Sequence, residues 1–209
     1  MSSSQFSQAD LRILAKSDLY RGFFAAVKYR VQHRRFDGTW TEPFEREVFE
    51  RGDAACVLLF DPQAEAVVLV EQFRLPAALA GKTNPWLLEM VAGIIEPDET
   101  PAAVVEREAV EEAGVSVRDL IPIANYLASP GGCSERVWLF CGRVDSREAQ
   151  GVHGLAEENE DIRVCVLSLA DAYAALVDGR IDNAATMIAL LWLQLNESQV
   201  RARWLNGGA

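Results

Sequence analysis

The sequence predicts an α+β fold with α/β/α layering, preceded by an N-terminal antiparallel β subdomain. Three observations lead there. Short apolar segments of strand character lie on both sides of one well-capped helix at 101–113. Two amphipathic helical segments close the chain, at 169–177 and 184–204. The first fifty residues alternate apolar and polar positions around a turn at Phe36, Asp37 and Gly38. Strands before and after a central helix, followed by terminal helices, make a layered domain. The expected division is 1–50 for the β subdomain and 51–209 for the layered domain.

Taken in order, residues 1–18 are polar and read as a loose start. Residues 20–31 mix aromatic and β-branched side chains, and 40–50 alternate, so both read as strands. Their aromatics are too many for an isolated hairpin, which predicts packing on something larger. Residues 54–60 and 66–74 are strands joined by an Asp61-Pro62 turn. Residues 75–85 read as a loop, and 86–95 as one strand running into the helix. Thr100 is a good N-cap, Pro101 suits the first helical position, and Gly114 stands just past the end. A strand at 117–127 returns to a turn at Ser129-Pro130-Gly131-Gly132. Residues 136–144 form a strand, 146–161 a long acidic loop and 162–167 the last strand. Asp182 or Asn183 caps the final helix.

The chain has 209 residues, enough for one or two domains with a substantial core. Its net charge of −11 disfavours binding to a nucleic-acid backbone. The same charge opposes an anionic substrate unless cations offset it. Four cysteines, Cys56, Cys133, Cys141 and Cys165, lack metal-ligand spacing and read as buried free thiols of a reducing cytoplasm. The N-terminus shows no signal-peptide pattern. The longest apolar run, near 187–193, is too short to span a bilayer, so no membrane partner is expected. His33 and His153 are too few and too separated to suggest zinc or a catalytic triad.

The helix at 101–113 is unusually acidic: Glu106, Glu108, Glu111 and Glu112 face only Arg107. At about 100° per residue, Ala102, Val105, Ala109 and Ala113 line one apolar stripe. Glu108, Glu111 and Glu112 form an arc beside it, and Glu106 falls on the other flank. Like charges four apart, as at Glu108 and Glu112, destabilise a helix by a few tenths of a kcal/mol. A hard divalent cation such as Mg²⁺, which prefers oxygen ligands, removes that repulsion. A solvated acidic face fits the same geometry, so helix geometry alone leaves both readings open.

The residue order separates them. Gly93, Glu99, Arg107-Glu108-Ala109, Glu111-Glu112 and Gly114-Val115 resemble the full Nudix box. Segments outside it resemble the ADP-ribose-hydrolysing branch of that family: 20–24, Arg46-Glu47, 50–52, Glu71-Gln72-Phe73-Arg74, Trp86-Leu87-Leu88-Glu89, 127–131 and 157–160. The resemblance implies a mixed sheet sandwiched between helices, with 51–209 as the catalytic domain. It implies a cytoplasmic homodimer that exchanges the N-terminal β unit. It also implies hydrolysis of ADP-ribose to AMP and ribose 5-phosphate with two or three Mg²⁺ or Mn²⁺ ions.

Residue roles follow from the same resemblance. Glu108 and Glu112 are metal ligands, joined by the Ala92 carbonyl and by Glu160. Glu111 binds metal directly or through water. Glu158 is the base that activates water, although Glu158 and Glu160 are interchangeable in this reading. Glu99 and Arg107 form an internal pair that shapes the loop. Arg51 and Arg74 contact phosphate. Phe23 and Phe24 stack on adenine, with Arg46 and Glu47 at its polar edge. Ile94, Ser129, Pro130, Gly131 and Glu135 complete the substrate contacts, the last four at the terminal ribose. GDP-mannose or NADH as substrate, or a non-catalytic ADP-ribose sensor, are the alternatives.

Overall fold

The computed structural model describes residues 5–155 and 159–206. The chain divides into two compact units: Met1–Asp53 with Leu127–Arg136, and Ala54–Tyr126 with Val137–Ala209.

The first unit holds an antiparallel three-stranded sheet, β1 (Leu11–Arg21), β2 (Ala25–His33) and β3 (Phe44–Glu50), in the order β1-β2-β3. The expected loose start is therefore wrong: 11–18 belong to an eleven-residue strand. Every residue of β1 is exposed, so its apolar positions carry no burial signal and its polar ones read as loop. The strand expected at 20–31 is broken by a bend at 22–24, where the Gly22 amide donates to the Phe24 carbonyl at 2.9 Å. The aromatics do not find a core within the described chain: Phe23 and Phe36 remain 85% and 89% exposed.

The second unit is built on a mixed sheet with the path β10-β11-β5-β4-β9-β8. Its strands are β4 (Ala54–Asp61), β5 (Ala66–Phe73), β8 (Leu120–Leu127), β9 (Arg136–Arg143), β10 (Val152–His153) and β11 (Ile162–Ser168). Strands β4 and β9 run parallel. The strand β6 (Trp86–Glu89) pairs with β5, and β7 (Val91–Ile94) pairs with β4. The single strand expected at 86–95 is thus two strands, broken at Met90. The short helix α1 (Leu75–Leu79) occupies part of the expected loop, and β10 part of the acidic one.

Strand β4 is buried along its whole length and sends alternate side chains to opposite faces. Cys56, Leu58 and Phe60 meet the helices α3 (Leu169–Val177) and α4 (Ala184–Asn206) on one side. Ala55, Val57 and Leu59 meet the helix α2 (Pro101–Ala113) on the other. This makes the α/β/α layers. All four cysteines are free, as expected, but only Cys56 and Cys141 are buried; Cys133 and Cys165 are half-buried.

Helix α4 also fixes the strand break. The Asn183 side-chain oxygen Oδ1 caps it by accepting from the Thr186 amide at 3.2 Å. The Asn183 amide group donates to the Leu88 carbonyl at 2.9 Å, and the Met90 amide donates to the buried Thr186 hydroxyl at 3.0 Å. Backbone polar groups freed by the break are thereby satisfied.

At the far end of β4, Asp61 is 5% exposed and accepts four hydrogen bonds. They come from the Gln63 and Ala64 amides (2.9 and 3.0 Å) and from the Ser146 amide and hydroxyl (2.9 and 2.8 Å). Burial opposes its ionisation, but the donors outweigh burial and hold the carboxyl below its usual range. Its contribution is present above the unfolded pKa and is lost as pH falls through the folded one. Asp61→Ala leaves these donors without their acceptor. The variant should lose about 2–4 kcal/mol in denaturant unfolding and lose the acid-limb dependence this carboxylate supplies. A loss below about 0.5 kcal/mol would contradict the assignment.

Candidate functional site

The site is built where α2 meets β7. The Thr100 hydroxyl accepts from the Ala103 amide at 3.2 Å, with Pro101 at the first helical position. Gly114 ends the helix in the left-handed region at φ 66°. The buried residues of α2 are Val104, Val105, Ala109, Glu112 and Ala113, while Ala102 is only half-buried. At about 100° per residue, the sheet-facing arc runs from Val104 past Glu108 and Glu112 to Ala113. The two acids thus lie inside the buried arc, not beside it as the apolar stripe suggested.

Gly93 makes this possible. A Cβ at position 93 would overlap the Glu108 carboxylate, so only glycine lets that side chain lie against β7. On the same side, Glu112 is 4% exposed and its Oε2 accepts from the Ala92 amide at 3.1 Å. Burial pushes the Glu112 carboxyl up to about 8; the Glu108 and Glu160 charges push the same way, against the Ala92 amide and Arg74. Burial also raises Glu108, with Arg107 opposing.

Arg107 organises the loop before the helix. Its Nε and Nη2 donate to Glu99 at 3.1 and 3.3 Å, and its Nη1 donates to Glu108 and to Glu111, each at 2.9 Å. The expected Glu99–Arg107 pair is present and extends to two further glutamates. Glu160 closes the base of the acidic loop: its Oε2 accepts from the Leu155 amide at 3.1 Å, and its amide donates to the Leu155 carbonyl at 3.2 Å. Gly154, at φ 106°, faces Glu160 too closely to carry a side chain. Glu158 lies outside the described residues.

Glu108, Glu112 and Glu160 therefore share one electrostatic neighbourhood. Among the described residues, no three acidic, histidine or cysteine side chains close into one metal shell. The donors are nonetheless hard carboxylate oxygens, two of them on groups whose ionisation burial opposes. That chemistry fits a divalent ion that retains water ligands and supplies the missing counter-charge.

Arg74 is half-buried, and its Nε donates to Glu89 Oε2 at 2.8 Å. Glu89 has no role in the sequence reading, although a lone acid at the end of an apolar strand was a usable signal. Ile94, the last residue of β7, is half-buried opposite Ala54.

The remaining candidates belong to the first unit. Arg51 Nη1 lies 3.3 Å from Glu135 Oε1, and Arg51 packs over the Phe24 ring at 5.1 Å. Glu135 is 8% exposed, and burial raises its carboxyl while Arg51 opposes. Phe24 meets Phe23 and Phe49 edge-on, at 4.7 and 5.3 Å between centroids. Arg46 instead covers Phe44, and Glu47 is exposed on β3 opposite Lys28. Ser129, Pro130 and Gly131 form an exposed turn, in which the Ser129 carbonyl accepts from the Gly132 and Cys133 amides.

The Glu112 shift has a definite sign. A carboxyl raised from its ordinary 4.5 to about 8 favours the folded state fully below pH 4.5. That contribution is lost as pH rises through 8. In chelator, the melting temperature of the wild-type protein should fall more steeply between pH 5 and 8 than that of Glu112→Gln. Equal slopes would contradict the buried-acid assignment.

The NUDIX domain model matches residues 50–190. The chain is 51% identical over 199 residues to the ADP-ribose pyrophosphatase of Escherichia coli (strain K12), covering 95% of each chain. It is 44% identical to the Haemophilus influenzae ADP-ribose pyrophosphatase, over 95% of this chain and 93% of that one. The GDP-mannose pyrophosphatase of Yersinia pestis is 34% identical, over 85% and 88%. A crystal structure described as an ADP compounds hydrolase superposes with a TM-score of 0.68 at 19% identity, over 92% and 97%, which bears on the fold. With the family model spanning more than half the chain and these relatives nearly all of it, the chain belongs to the Nudix family.

Proposed function

We propose that the protein hydrolyses the diphosphate of ADP-ribose to AMP and ribose 5-phosphate. The buried Glu112 carboxyl beside Glu108 carries this reading: two acids forced together against a sheet have a use when a cation joins them. The near full-length ADP-ribose pyrophosphatase relatives support the substrate.

In this reading Glu108, Glu112, Glu160 and the Ala92 carbonyl would hold two or three Mg²⁺ or Mn²⁺ ions, with Glu111 binding them directly or through water. A divalent ion held by these oxygens would polarise the diphosphate and make water easier to deprotonate. Glu158 would take the proton from the attacking water as its oxygen bonds to phosphorus, and the displaced phosphate would leave with the electron pair of the broken bond. Arg107 holds Glu108 and Glu111 in position. Arg74, oriented by Glu89, and Arg51 offset the substrate's charge through paired phosphate contacts. Phe23 and Phe24 stack on the adenine, with Arg46 and Glu47 at its edge. Ile94, Ser129, Pro130, Gly131 and Glu135 take the remaining contacts, chiefly to the terminal ribose. We assign the protein to the cytoplasm as a homodimer that exchanges the first unit. The exposed apolar side chains of β1, Leu11, Ile13, Leu14 and Leu19, support that contact.

The Yersinia relative favours GDP-mannose as the second reading. Rates on ADP-ribose, GDP-mannose and NADH with product identification decide: ADP-ribose should have the highest kcat/KM, and a faster GDP-mannose reaction would reassign the substrate. Glu112→Gln should lower ADP-ribose turnover by orders of magnitude while retaining the native circular dichroism spectrum; near-normal rates would refute the metal role. Glu158→Gln should slow hydrolysis while ADP-ribose still binds. If Glu160→Gln alone did so, the base would be Glu160.

A further inference from the structure

The structure assigns a second anion site to the second unit, a cavity at the far end of β4 that takes a phosphate-bearing small molecule. The cavity has a volume of about 220 Å³ and is lined by Arg118, Arg143 and Arg147 together with Asp61 and Asp145. One water needs only about 10–15 Å³, so there is room for a phosphate group and an organic substituent. In a chain of net charge −11, three arginines around one opening are a local reversal of sign.

The two aspartates do not consume that charge equally. Asp61 is filled by the four donors from its own turn and from Ser146. Asp145 is engaged by Arg147, whose Nε donates to Oδ1 at 2.8 Å. Arg118 is loosely held, 3.9 Å from Asp145 and 3.3 Å from the exposed Glu148. Arg143 is half-buried, and its guanidinium has no acid or acceptor partner among the described residues. A guanidinium is permanently charged and presents a planar fork of donors that matches phosphate oxygens. The unmatched Arg143, with Arg118 free to leave its weak partners, is the core of the site.

The cavity is separate from the α2–β7 site. Gly93 pairs with Ala55 at one end of β4, and Asp61 is at the other end. Six steps along the strand, from Ala55 to Asp61, separate them by roughly 20 Å. Strand β4 is buried throughout and spans the distance between the two.

The test is calorimetric titration of the full chain in chelator, with inorganic phosphate in one arm and glycerol 3-phosphate in the other. Arg74→Ala serves as the background, to remove the phosphate contact proposed at the first site. Both arms should saturate, and adding Arg143→Ala should weaken binding by about tenfold or more. Arg118→Ala should weaken it by a smaller factor, and Arg143→Lys should retain part of it. Tighter binding of the ester assigns organic phosphates as the occupant, and tighter binding of inorganic phosphate assigns the free ion. Unchanged affinity in both Arg143→Ala and Arg118→Ala would overturn the site. So would an equal heat response to chloride at matched ionic strength.

Discussion

The structure turns on one unfavourable burial. Glu112 is almost wholly removed from water, with the Ala92 backbone amide as its hydrogen-bond donor and the Glu108 carboxylate as an unfavourable neighbour. Such a group is costly unless it is protonated or paired with a cation. Most of the local architecture maintains that condition. Gly93 leaves the space that Glu108 fills, the Thr100 and Gly114 caps fix where α2 begins and ends, and Arg107 ties Glu99, Glu108 and Glu111 into one set.

The opposite layer contributes to the same end. Asn183, the cap of α4, holds the Leu88 carbonyl, and Thr186 within α4 holds the Met90 amide. The break at Met90 lets β6 pair with β5 while β7 pairs with β4. The consequence is local: Ala92 and Gly93 reach the α2 acids from β7, while Glu89 reaches Arg74 from β6. A continuous strand at 86–95 could not run antiparallel to both β4 and β5, because these are antiparallel to each other. The helix layer that contains no site residue therefore shapes the site through the backbone.

The legible parts of the sequence were those with local chemical signals. Thr100, Pro101 and Gly114 marked α2 within one residue, and the apolar run of β4 marked a buried strand. The box residues marked the acids and the Glu99–Arg107 pair. What was hidden depended on tertiary partners. An apolar stripe drawn from Ala102, Val105, Ala109 and Ala113 put Glu108 and Glu112 outside the buried face, because Gly93, the residue that admits them, lies on another element. Strand β1 was read as loose because none of its side chains is buried. The Met90 break carries no glycine or proline and became visible only with α4 in place. Arg143 has no motif at all; it is notable only because no acid or acceptor among the described residues pairs with its guanidinium.

The central claim is that the buried Glu112 exchanges a proton for a metal ion. The most direct measurement is proton release when Mg²⁺ is added to the unbuffered, chelator-free protein at pH 7, read with a pH indicator and paired with calorimetry. The account predicts release of about one proton per site in the wild-type protein, diminishing above pH 8. Glu112→Gln should bind Mg²⁺ far more weakly and release almost none. Equal Mg²⁺ affinity in the two proteins, with no proton released by either, would contradict it.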